Sequence, residues 1–115
     1  MSTTQDIVLI SSDLMFASRL ELAVRASGFR VTRVSGDWTP TPVAGVFVDL
    51  NADVEDRIEA IRLLRRSVPA LPIIGFCNHE EKERRKEAMA AGATQVVTNG
   101  GLQGVALRLV GAAVS

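Results

Sequence analysis

The 115-residue sequence predicts an α/β fold of three layers, a five-stranded parallel sheet with helices on both faces. Three observations carry the prediction. Short apolar runs alternate with segments of helical periodicity along the whole chain. The strongest runs, Ile7–Ile10, Val43–Leu50 and Ile73–Cys77, lack the polar alternation of a half-exposed strand and so suit strands buried on both faces. The helical segments between them run about three turns, as crossovers between parallel strands do.

The elements follow in order. Ile7–Ile10 is the first strand, closed by Ser11-Ser12-Asp13. Leu14–Ala26 is a helix with Phe16, Leu20, Ala23 and Val24 on one face, stopped by Ser27 and Gly28. Phe29–Val34 is the second strand, and residues 35–42, rich in Gly, Pro and Thr, form a loop. Val43–Leu50 is the third strand. Asp53 is placed to cap a helix over Val54–Ser67 whose inner edge and rim carry Ile58, Ile61, Leu64 and Arg65. Ile73–Cys77 is the fourth strand. Asn78 or His79 caps a charged helix, Glu80–Ala91, with Glu80–Arg84 and Glu81–Arg85 at i, i+4 spacing. Gln95–Thr98 is a short fifth strand, Asn99-Gly100-Gly101 a turn, and Leu102–Val114 the last helix.

Composition narrows the function. The chain is 47% apolar, 23% charged and 4% aromatic, which suits one globular domain over residues 1–115 and excludes disorder. Thirteen Lys and Arg balance thirteen Asp and Glu, so the basic footprint of a nucleic-acid or anionic-membrane binder is missing. No apolar run is long enough to span a bilayer, and the start lacks the basic and apolar regions of a signal peptide. One cysteine fits a reducing, cytoplasmic setting, and one cysteine with one histidine does not make a zinc site. No GxGxxG or Walker loop follows the first strand, which argues against a nucleotide-binding enzyme.

Right-handed crossovers favour the flavodoxin-like strand order 2-1-3-4-5. Sites in such sheets lie beyond the carboxyl ends of the strands, near the switch between strands one and three. That edge carries Ser11, Ser12, Asp13, Asp49, Cys77 and Asn99.

Along nearly its whole length the chain resembles the receiver domains of two-component response regulators, the CheY-like fold. The resemblance rests on IVLISSD at the first strand, Gly28-Phe29 after the first helix, VFVDL at the third strand, PIIGFCN at the fourth and AAGATQVVTNGG at the fifth. It implies a signalling domain with Asp49 at the phosphoaccepting position. It also implies two acids at the end of strand one that bind Mg²⁺ together with that aspartate, a Ser or Thr ending strand four, and a lysine after strand five. Here Ser11 and Ser12 stand at the acid pair, with Asp13 one position on; Cys77 ends strand four, and Asn99 replaces the lysine. Only Asp49 is kept. Without metal acids and lysine, the charge neutralisation that drives phosphoryl transfer is mostly missing. The resemblance therefore points to a degenerate pseudo-receiver that binds no metal or cofactor.

A second departure concerns shape. Receivers place a helix between strands two and three, whereas about ten residues containing Gly36, Pro40 and Pro42 join Val34 to Val43 here. That helix is expected to be missing or cut to one turn. Trp38 then folds back as a lid or joins a partner interface. The last helix has a core stripe of Leu102, Val105, Ala106, Leu109, Val110 and Ala113, with Leu107, Ala112 and Val114 off it. A helix apolar nearly all round wants cover on two sides, so Leu107, Val110 and Val114 are candidate interface residues, for a homodimer or another protein. Cys77 offers a redox-active thiol or, more simply, a small buried hydrophobe.

These readings lead to a non-enzymatic, phosphorylation-independent module that recognises a protein partner in bacterial-type signalling, without nucleic acid or membrane. The competing expectation is a working receiver phosphorylated on Asp49, its metal pocket rebuilt on Asp13 and Asp49.

Overall fold

The computed structural model describes residues 5–36, 38–78 and 81–114. The elements are β1 (Asp6–Ile10), α1 (Leu14–Val24), β2 (Arg30–Val34), β3 (Gly45–Asp49), α2 (Val54–Ser67), β4 (Ile73–Cys77), α3 (Lys82–Ala91), β5 (Gln95–Thr98) and α4 (Leu102–Val114). All neighbouring strands pair in parallel, in the order β2-β1-β3-β4-β5. This is the flavodoxin-like, CheY-like order.

The apolar runs become the central strands because both sheet faces are covered. Every residue of β3 and β4 is buried, while the edge strand β2 is largely exposed. Successive side chains point to opposite faces. Ile7, Leu9, Phe47, Ile74 and Phe76 join the core beneath α1 and α4. Val8, Ile10, Val46, Val48 and Ile73 join the core beneath α2 and α3. Phe16 of α1 meets Phe76 edge-on, with ring centroids 4.8 Å apart.

Local signals explain where helices start and stop, with three corrections. Asp13 caps α1, its carboxylate accepting from the Met15 amide at 2.9 Å, and Gly28 supplies the positive φ (79°) that ends the first helical segment. Asp53 stands at the start of α2 but makes no capping bond, because its backbone is left-handed (φ 51°) and its carboxylate turns to Arg57, 3.8 Å away. Helix α3 begins at Lys82 with Glu81 at the cap position, later than the sequence suggests; His79 lies outside the described residues. Glu81 pairs with Arg84 at i, i+3, since Arg85 instead donates to the Val96 carbonyl at 2.8 Å. Residues Asn99–Gly101 form a single 3₁₀ turn.

The connection from β2 to β3 contains no helix among the described residues. Half-buried Trp38 packs on the core beside Val34 and Val43, where a crossover helix would otherwise lie. Arg65 ties α2 to the α3–β5 turn, donating to the carbonyls of Gly92 and Pro69 at 2.8 Å and to Thr94 Oγ1 at 3.2 Å.

Candidate functional site

The carboxyl ends of β1, β3 and β5 bring three of the expected residues, Ser11, Asp49 and Asn99, into one polar network. Asp49 is the last residue of β3 and only 6% exposed. A buried carboxyl group needs partners, and Asp49 has them on both oxygens. Fully buried Ser11 donates its hydroxyl to Oδ2 at 2.6 Å. Asn51 donates to Oδ1 twice, from its backbone amide at 2.8 Å and from Nδ2 at 2.7 Å. The Ser11 hydroxyl also accepts from the Asp13 amide at 3.0 Å, and Arg33 Nη1 holds the Ser11 carbonyl at 2.8 Å.

Asn51 is the hub of this network, although nothing in the sequence singled it out. Its Nδ2 also donates to Asn99 Oδ1 at 3.1 Å, its Oδ1 accepts from Asn99 Nδ2 at 3.3 Å, and the same Oδ1 accepts from the Asn78 amide at 2.6 Å. Asn99 thus reaches Asp49 through the neutral amide of Asn51. The side chains of Ser11, Asp49, Asn51 and Asn99, with the Asn78 amide, latch the tips of β1, β3, β4 and β5 together.

The other expected residues stand apart from this chain. Ser12 is exposed and accepts a long bond of 3.4 Å from Arg57 Nη2. Asp13 is exposed and occupied with capping α1. Cys77 is buried in the core beneath α2 and α3, as a small hydrophobe would be. Arg57 was not singled out in the sequence, yet it is only 4% exposed, and its Nη1 is buried without a hydrogen-bond partner among the described residues. Its spacing gave a signal: Arg57, Ile61 and Leu64 fall at i, i+4, i+7 on the inner face of α2.

Asp13, Asp49, Asp53 and Arg57 line a single open cleft of about 490 Å³, together with Ser12 and Asn51. Three carboxyl groups face one guanidinium there, so the cleft is acidic. Mg²⁺ wants near-octahedral oxygen ligands, and the carboxylates here have other partners: Asp13 caps α1 and Asp53 leans toward Arg57. Both Asp49 oxygens already accept hydrogen bonds, and Arg57 brings a fixed positive charge to the same wall. Among the described residues, no group of three or more acids, histidines and cysteines stands close enough to hold a metal ion.

On α4 the structure corrects one expectation. Val110 is buried in the core with Leu102, Val105 and Ala106, so it cannot meet a partner. Leu107 is 52% exposed, and the side chain of Val114 lies outside the described residues. Among the described residues no helix is long and apolar enough to cross a membrane.

No protein-family model matches the chain, and no curated protein matches it. Solved structures do. A response regulator from Thermotoga maritima shares 17% identity with a TM-score of 0.81, over 96% of this chain and 98% of that one. A CheY-like protein (tadZ) from Pseudomonas aeruginosa PAO1 shares 18% identity with a TM-score of 0.76, over 92% and 99%. A Burkholderia thailandensis protein assigned to pilus assembly (cpaE) shares 23% identity with a TM-score of 0.72, over 92% and 98%. The chain has the CheY-like receiver fold.

Proposed function

We propose that this chain is a receiver-like interaction module that works without phosphorylation, metal or catalysis, and that it recognises another protein in a cytoplasmic signalling or assembly setting. One observation carries the reading: both oxygens of Asp49 are engaged by Ser11 and Asn51 in a buried network. An aspartate that attacks phosphorus must offer a lone pair to solvent and have the charge it acquires neutralised. Asp49 would first have to shed its hydrogen bonds, and Asn99 and Arg57 would have to take over the roles of lysine and metal. The competing reading, a pocket rebuilt on Asp13 and Asp49, requires Asp13 to leave the end of α1, where its carboxylate holds the Met15 amide. The likeness to a protein assigned to pilus assembly supports use of this fold outside response regulators.

The test is incubation of the chain with acetyl phosphate and Mg²⁺, followed by intact-mass measurement. No phosphoryl adduct is expected. An adduct that forms on the chain and is absent from Asp49→Asn would overturn the proposal and restore the working receiver.

A further inference from the structure

Where receivers carry a crossover helix, this chain has a groove. Two adjoining pockets of about 410 and 360 Å³ share Ile10, Gly36, Ala60 and Leu63 and run along α2. Trp38 and Pro40 wall one end, and Asp53, Asp56 and Glu59 wall the other. Leu63 is 50% exposed in the middle of this groove. The exposed charges on α2 change sign along its length, Glu55, Asp56 and Glu59 in the first half and Arg62 and Arg66 in the second, while Arg57 is buried and Arg65 is held by the α3–β5 turn. Reversing the helix about its midpoint, between Ala60 and Ile61, places Glu55 on Arg66 and Glu59 on Arg62. A helix with that antisymmetry is complementary to an antiparallel copy of itself, as a two-fold interface demands.

We infer that the occupant of the groove is a second copy of this chain, paired through antiparallel α2 helices. This inference rests on the reading of the chain as an interaction module and names its partner surface. The macrodipole accounts for acids at the start of a helix and bases at its end. It does not account for an exposed leucine between them, facing a groove walled by the chain's only tryptophan. In the pair, Leu63 and Ala60 meet at the centre against Trp38 and Pro40. Glu59 and Arg62, which pair within one chain and are about half exposed, exchange partners across the axis. The apolar centre supplies affinity, and the flanking charges fix the antiparallel direction. The outward face of α4 is a weaker alternative, because Leu107 stands there among Gln103, Gly104, Arg108 and Gly111 with no charge pattern that selects a partner.

Sedimentation of the intact chain over a concentration series tests this. A species of twice the chain mass is expected to form with rising concentration and to weaken several-fold as salt is raised from about 0.05 to 0.5 M, where exposed charges are screened. Leu63→Glu leaves a monomer, whereas Leu107→Ser leaves the dimer intact. Glu59→Arg alone and Arg62→Glu alone each lose association more than tenfold, and an equimolar mixture of the two recovers it. A monomer at every concentration, loss of the dimer in Leu107→Ser but not in Leu63→Glu, or failure of the mixture to recover would each overturn the inference. A constitutive monomer that takes no phosphoryl group leaves the module reading standing with a different partner. Pairing that appears only after acetyl phosphate and Mg²⁺ overturns both.

Discussion

Replacing Asp49 by alanine removes the acceptor for the Ser11 hydroxyl and for both Asn51 donors, and leaves the hydroxyl buried and the Asn51 donors partly so. The expected cost is about 2–3 kcal/mol, because unsatisfied buried donors lose their full solvation. Asp49→Asn keeps one carbonyl oxygen for Asn51 and lets the Ser11 hydroxyl accept instead of donate, so its cost is about 1 kcal/mol. Urea unfolding of the two variants gives that order if the residue is structural. Arg57 should behave in the opposite way. One of its nitrogens is buried without a partner among the described residues, and its acidic neighbour Asp53 is 3.8 Å away and well exposed. Arg57→Met keeps the packing and removes the orphaned donor, so it should be neutral or stabilising by up to about 1 kcal/mol. A loss of more than about 2 kcal/mol in Arg57→Met would mean that the guanidinium is a necessary part of the network. Ser11 and Asp49 were legible as site residues because strand ends fix their place. Asn51 and Arg57 were not, since their roles depend on which groups the fold brings within hydrogen-bonding distance.

Elements announced themselves in proportion to how much apolar surface they bury. The runs at β3 and β4 were readable because both sheet faces are covered there, and the inner face of α2 was readable from Ile58, Ile61 and Leu64. Exposed helix starts were less legible. Glu81 and Lys82 at α3 carry no buried group that fixes the first turn, and Asp53 trades its cap for Arg57. The sequence also placed the missing crossover helix correctly, since ten residues with Gly36, Pro40 and Pro42 leave little room for one. Trp38 does part of that helix's work in covering the sheet. Trp38→Ala should therefore cost about 2 kcal/mol, less than a fully buried tryptophan, with loss measured by thermal or urea unfolding. The edge strand β2 pairs on one side only and is largely exposed, so its amides should exchange faster than those of β3 and β4. Equal protection across all strands would argue that something covers that edge.

At the scale of the whole molecule, the chain has the CheY-like receiver fold and a self-satisfied polar network at the carboxyl ends of its strands. Bistability in a receiver needs a negative charge that can be added and neutralised by a metal ion and a lysine, and the proposed module has hydroxyl and amide groups around Asp49 instead. The surface offers a groove along α2, where no helix follows β2 among the described residues, and opposite exposed charges on the two halves of α2. Strand order was readable because right-handed crossovers leave few alternatives. The surface was not, because the sign change along α2 gains meaning only once the groove beside it is known. The most direct test of a silent pocket is a two-dimensional amide spectrum of the chain recorded before and after Mg²⁺ and beryllofluoride are added. The account predicts unchanged resonances for Ser11, Asp49, Asn51 and Asn99. Saturable shifts at these residues, absent from Asp49→Asn, would contradict it.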